Sequence, residues 1–482
     1  MESRPSYSLL SFVFILTSYL LILCRSISIV KRLPGYAGDL PFQLETGYVG
    51  VGEKEGVQLF YYFVESTRNA ESDPLIFYIP GGPGASALFT LLYEIGPLNF
   101  DFDNGPNNIT LILNPNAWTQ IANIIFVDIP AGTGFSYSET KDGWISSDNI
   151  LATHAKEFIK KFLVEHPRFL NNPLYIAGIS YMGLLVPKIT LEIFEGNERG
   201  DQPTLNIQVI FYTLKILQQN TPSLMAISEG NLWGYILVSP LTDKFKDINS
   251  RLEYAHRMAL ISDDTYKTAI KYCHGNYMDI DASNSLCANS LRQYEECTSH
   301  ISFDNILQPF CDDNDPMQYC ESDFNAVAAT WANSKVVQQA INIRQGTIGK
   351  WELRNSTMHY DQGKNDTFCY SYDIFSSFHY HKKLSSKHCR SLIMSGDHDM
   401  TFPYVGIEQW IASLDLGVEN PWKPFFSDGQ VGGYETKYAH NNYSLTFSTV
   451  KGAGHLVPYY KPKESMVLIA KWFSSQVYSS DS

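Results

Sequence analysis

Between Cys24 and Cys273 the 482-residue chain contains no cysteine. Seven others follow, at Cys273, Cys287, Cys297, Cys311, Cys320, Cys369 and Cys389. No C-x-x-C pairs with a second one or with spaced histidines, so zinc is not expected, nor any other metal or cofactor. Positive charge is also scarce: 36 Lys and Arg face 50 Asp and Glu, a formal charge of −14. With its basic residues scattered, the chain does not suit nucleic acid or an anionic membrane as a partner. After the first two dozen residues, no run reaches the ~18 uninterrupted apolar residues of a membrane span.

Apolar material is plentiful. The chain is 44% hydrophobic and 14% aromatic, which excludes wholesale disorder. Its length suits one large domain or two ordinary ones. At the start, Arg4 precedes an apolar run from Leu9 to Leu23, broken by Ser11, Thr17 and Ser18 and followed by the small Ser26 and Ser28. This reads as an export signal over residues 1–26 rather than a membrane anchor. Sequons at Asn108, Asn355, Asn365 and Asn442 fit that route, which ends outside the cell or in the vacuole. In an exported chain the cysteines read as disulfides, and seven leaves at least one unpaired within the chain.

Short apolar runs at 74–80, 122–130, 173–178, 234–240 and 391–396 are each bounded by Gly, Pro or Asp, as buried parallel strands are. Helix-like stretches, such as Ile150 to Leu163 and Leu184 to Phe194, lie between some of them. The alternation predicts an α/β fold with an open, mostly parallel sheet and a site at the carboxyl ends of its strands. From about 243 to 375 helix-like text and cysteines take over, which predicts an inserted helical, disulfide-bearing lid. The segment 209–233 (VIFYTLKILQQNTPSLMAISEGNLW) interrupts a short link into the next strand. It is either a tolerated surface insertion or retained intron sequence.

The chemistry concentrates in Tyr175-Ile-Ala-Gly-Ile-Ser180-Tyr181-Met182-Gly183, an apolar strand running into Gly-x-Ser and then a helix. A nucleophile elbow needs that context, because the sharp turn lifts the serine hydroxyl above the sheet. A serine also needs a base, and the base an orienting carboxylate. The text supplies Ser395-Gly-Asp397-His398-Asp399 and then Gly452-Ala-Gly-His455, each after a strand-like run and in the order acid, then histidine. Gly81-Gly82-Pro83-Gly84 follows the first strand and can turn N–H groups toward an oxyanion.

These motifs resemble those of the serine carboxypeptidase family of α/β-hydrolases, most of all its plant acyltransferase-type branch. The resemblance runs from about Val30 to Phe473. It rests on LPGYAGDLPFQLETGYVGVGE (33–53), GGPGASALFTLLYEIGPL (81–98), DIPAGTGFSYS (128–138), AGISYMG (177–183), SGDHDMTFP (395–403) and KGAGHLVP (451–458). It implies Ser180 as nucleophile, Asp399 rather than Asp397 as triad acid, and His455 as base. It further implies the N–H groups of Gly82 and Tyr181 as oxyanion hole, with Gly81 and Glu94 at the substrate. Disulfides Cys273–Cys287 and Cys311–Cys320 are implied, with Cys297, Cys369 and Cys389 unassigned.

The departures are specific. Ile179 stands where family carboxypeptidases have a Glu that shares a proton with the Glu94 position. Pro80 stands where they keep an Asn that helps hold the peptide's terminal carboxylate. Met182 replaces a small residue in a tight elbow, where strain is expected. Ala85 and Arg354 stand at both ends of a missing disulfide. The expected partner is a small acyl ester, with acyl transfer from a glucose ester to an alcohol. Carboxypeptidase action on a peptide, or a weakened enzyme, are the alternatives.

Overall fold

Strand Leu75–Ile79 (LIFYI) is buried at every position, because both faces of the sheet it joins are covered. The computed structural model describes residues 28–101, 109–200, 232–281, 283–310, 321–360 and 369–475. The expected signal (1–26), Asn108, Asn365, Cys311 and Cys320 lie outside these residues. So does 209–233, apart from its last two positions.

Six strands run parallel, in the spatial order Asn123–Val127, Leu75–Ile79, Leu174–Ile179, Leu232–Val238, Arg390–Gly396, Tyr443–Val450. Antiparallel strands flank them, Val57–Val64 and Leu44–Val51 on one side and Gln430–His440 and Gly417–Ser427 on the other. All five apolar runs read from the sequence are strands of this sheet. One begins early: strand Leu232–Val238 includes Trp233, assigned above to the interrupting segment.

Alternation along the strands divides the core in two. Phe77, Ile79, Ile176, Leu237 and Ile393 pack with the helices Asp148–Glu165 and Val186–Arg199. Ile76, Tyr78, Ala177, Ile179, Ile236 and Leu392 join the other core with helix Pro462–Ser474. Each large apolar side chain so buried stabilises the fold by ~1.5–3 kcal/mol.

Between strands Leu232–Val238 and Arg390–Gly396 the chain forms helices Lys244–Arg257, Asp263–Cys273, Ser285–Thr298, Glu321–Ala332 and Lys335–Ala340. Asp243, Ser262 and Asn284 start the first three by accepting hydrogen bonds from backbone N–H groups of the opening turn, each cap worth about 1 kcal/mol. A third, smaller core of Leu252, Tyr254, Ala269, Cys273, Cys287 and Leu291 also takes in Met400 and Val405 from beyond the fifth parallel strand. The helical segment is therefore seated on the turn that carries Asp399.

Candidate active site

Strand Leu174–Ile179 ends directly in a 3-10 turn, Ser180–Gly183. Ser180 holds φ at 60°, a left-handed conformation that costs a non-glycine residue on the order of 1 kcal/mol. The surroundings hold it there: Leu241 N donates to Ser180 O at 2.9 Å, and the flanking Ile179 and Tyr181 are buried. Met182 is fully buried in one apolar cluster with Leu184, Leu185 and Val186, so its bulk is spent in packing. Tyr181 N opens the turn, where N–H groups lack intrahelical acceptors.

The Gly-rich loop comes within contact of the serine. A Cβ on Gly81 would lie 2.8 Å from Ser180 Cβ, so only glycine permits the approach. Beyond it, Asp128 braces the loop by accepting from Ser86 Oγ (2.8 Å), Ala87 N (2.7 Å) and Phe135 N (2.9 Å). Burial pushes the Asp128 carboxyl up to about 6, although these hydrogen bonds oppose the shift. Tyr181 is braced from the other side. Its hydroxyl and that of Tyr370 donate to Asp148 Oδ1 at 2.8 and 2.7 Å, while Asp373 N and Ile374 N donate to Oδ2. Burial raises the Asp148 carboxyl as well. Neither aspartate was singled out from sequence; Asp128 opens one of the quoted motifs, and Asp148 carried no signal.

Asp399 is fully buried beyond strand Arg390–Gly396, and its Oδ1 accepts from Thr401 N (2.8 Å) and Phe402 N (3.1 Å). Its Oδ2 faces His455 Nδ1 at 2.9 Å. Asp397 is engaged elsewhere, with the His398 ring and with Gly452 N. Burial disfavours the His455 imidazolium. The charge and hydrogen bond of Asp399, helped by Asp304 and Glu94, outweigh that and raise its basicity. The Phe402 ring stands edge-on to the imidazole, with centroids 5.5 Å apart. Among the described residues no hydrogen bond joins Ser180 to His455, as is common before a substrate draws the two together.

Glu94 is buried on the turn Thr90–Glu94, and its charge is felt by both Tyr78 and His455. Ile179 and Tyr78 share one apolar cluster, and Pro80 is buried after its strand. Cys273 and Cys287 form a disulfide within the core of the helical segment, whereas Cys297, Cys369 and Cys389 are free thiols. Asn442 is exposed at the turn between two antiparallel strands, while Asn355 is half-buried, its amide donating to Gly132 O. No helix among the described residues is long and apolar enough to cross a membrane.

Ser180, Asp399, His455 and the Gly81–Gly82 loop lie past the carboxyl ends of parallel strands, the place where open α/β sheets build their sites. The sequence model of one family, described as serine carboxypeptidase, matches residues 34–213 and 211–475. Serine carboxypeptidase-like 16 of Arabidopsis thaliana is 41% identical over 98% of this chain and 99% of its own length. Serine carboxypeptidase-like 17 of the same plant is 39% identical over 96% and 97%. Among solved structures, the prohormone-processing carboxypeptidase Kex1 of Saccharomyces cerevisiae superposes with a TM-score of 0.66. That match covers 90% of this chain and 92% of the other at 16% identity, a likeness of fold.

Proposed function

The chain belongs to the serine carboxypeptidase family and is a serine hydrolase-type enzyme, and from that premise we propose that Ser180 forms an acyl-enzyme with His455 as base and Asp399 as its orienting acid. The observation that carries this reading is the Asp399–His455 hydrogen bond at 2.9 Å, beside a serine held at a φ of 60°. In the first half-reaction His455 Nε2 takes the Ser180 hydroxyl proton as Oγ bonds to the acyl carbon. The N–H groups of Gly82 and Tyr181 receive the oxyanion. Collapse breaks the bond to the leaving group, which departs with the proton from His455. An acceptor hydroxyl then gives its proton to His455 and attacks the acyl-enzyme, releasing the new ester and restoring Ser180. Asp399 stays ionised throughout and steadies the imidazolium.

Acyl transfer from a glucose ester to an alcohol is the preferred use. Its support is negative selectivity: Ile179 and Pro80 leave two hydrogen-bonding groups missing from the place where the family holds a peptide's terminal carboxylate. A site without those partners loses much of its discrimination for that group. The parent carboxypeptidase reaction is the second reading, favoured by the buried Glu94 whose charge reaches His455. The signal at 1–26, glycosylation at the four sequons and a lid over about 243–375 complete the proposal.

Separate samples given a fluorophosphonate, a glucose ester with an alcohol acceptor, or an N-blocked dipeptide test it. Labelling at Ser180 with turnover of the ester alone supports acyl transfer. Turnover of the dipeptide alone supports the peptidase. A wild-type protein that takes no label at Ser180 removes both.

A further inference from the structure

The helical segment touches the acid–base pair through a short stretch, Phe303 to Ile306. Phe303 O accepts from Met400 N (2.8 Å) and Thr401 N (2.9 Å), and Ile306 N donates to His398 O at 3.1 Å. His455 N donates to Asp304 O at 2.6 Å. A Cβ on Gly454 would fall 2.1 Å from that same Asp304 oxygen, so a glycine before the histidine is what lets the two backbones meet. The Asp304 side chain turns the other way and accepts from Thr401 Oγ1 at 2.5 Å.

These contacts close a ring. Thr401 N donates to Asp399 (2.8 Å), Thr401 Oγ1 to Asp304 (2.5 Å), His455 N to Asp304 O (2.6 Å), and His455 Nδ1 meets Asp399 (2.9 Å). Acid and base come from two different turns, 56 residues apart in sequence. Without a link between those turns, each could shift by fractions of an ångström and break their shared hydrogen bond.

We infer that Asp304 is a positioning residue for the Asp399–His455 pair, locking the two turns in register and adding a second negative charge behind the base. The inference rests on the reading of His455 as the base for Ser180. The charged groups facing His455 are Asp399, Asp304 and Glu94, all favouring the imidazolium. Arg251 approaches from helix Lys244–Arg257, donates to Thr401 O and feels the charges of Asp399 and Asp304. Tyr254 donates to Asp397 O beside them.

The test follows the His455 imidazole by NMR against pH in the full chain, with His455→Gln assigning the signal. In Asp304→Asn the carboxylate becomes a neutral isostere, and the His455 midpoint is expected to fall, because one of the charges favouring the imidazolium is gone. Thr401→Val removes the side-chain bond but keeps the charge, so its midpoint should fall less than that of Asp304→Asn. Its fluorophosphonate labelling of Ser180 should slow several-fold. A residue that supported only the fold, without bearing on the acid–base pair, would leave the midpoint unmoved in both. An unchanged midpoint in folded Asp304→Asn overturns the inference, whatever the labelling shows. Absence of label on wild-type Ser180 overturns the functional reading instead, and the titration still decides the role of Asp304.

Discussion

Ala85 and Arg354 face each other in an isolated antiparallel bridge, and next to it Ser86 N donates to Leu353 O at 2.9 Å. The family resemblance sets a disulfide at these two positions. Backbone pairing joins the two positions here without a disulfide. Directly opposed antiparallel residues lie ~4.5–5.5 Å apart at Cα, within the range a disulfide spans. The double substitution Ala85→Cys with Arg354→Cys is expected to close a bridge and stabilise the fold by about 2–4 kcal/mol. Melting with and without reductant checks this. Equal melting temperatures would show that the bond does not form.

Ser180→Ala should abolish fluorophosphonate labelling, while Asp399→Asn and His455→Gln should slow it by ~10³-fold or more. The base must be neutral to accept the proton, and its basicity is raised by Asp399. The wild-type rate should accordingly fall with decreasing pH through a midpoint above the ordinary histidine value. A pH-independent rate would dissociate His455 from the reaction.

Gly81→Ala places a methyl 2.8 Å from Ser180 Cβ. The loop must move to accept it, carrying Gly82 N away from the oxyanion position, and loss of one such donor costs about 10²–10³-fold in rate. The expected signature is a large drop in turnover with little change in melting temperature. Wild-type turnover would mean that the loop plays no part.

Ile179→Glu restores the carboxyl group that the family resemblance pairs with Glu94. Position 179 is only 3% exposed, so an ionised Glu there is costly, roughly 3 kcal/mol at neutral pH and less in acid where it is protonated. Cleavage of an N-blocked dipeptide near pH ~5, a unit or so above an ordinary Glu, should appear in the variant and be weak in wild type. Equal, ready cleavage by both proteins would show that Ile179 does not limit peptide recognition.

Stability itself should rise as the solution becomes mildly acidic. Burial pushes Asp247 up to about 7 and Asp128 up to about 6, so both bind protons in the folded state that the unfolded chain releases. Their contribution is complete below the ordinary carboxylate range and is lost as pH rises through those values. His381 opposes them: burial pushes it down to about 3, and its contribution is lost as pH falls below the ordinary histidine value. Between pH 5 and 7.5 the carboxyls outweigh it by ~2 kcal/mol, an order-of-magnitude figure from linkage. Melting temperature should drop across that interval, and Asp247→Asn should flatten the drop. A temperature that climbs with pH would contradict the assignment.

Local text was a good guide wherever one short segment holds both the backbone turn and its reactive group. Ser180 is such a case, because strand, Gly-x-Ser and helix are contiguous. It failed where the partner lies far along the chain. Asp128 reaches 42 residues back to Ser86, and Asp148 reaches 222 residues on to Tyr370, distances over which no periodicity speaks.

By itself, then, the sequence determined the alternating α/β pattern, the elbow, the order of acid and histidine, and the loss of carboxyl and thiol groups at Ile179, Ala85 and Arg354. The pattern, the elbow and the order follow from residue type and local spacing, and the losses from the family resemblance. The resemblance already preferred Asp399 to Asp397; tertiary structure decided how Asp399 meets His455, that Gly81 touches Ser180, and that Asp304 joins the turns. Contacts among separate strand ends depend on how six parallel strands stack side by side, and that arrangement exists only once the chain has folded.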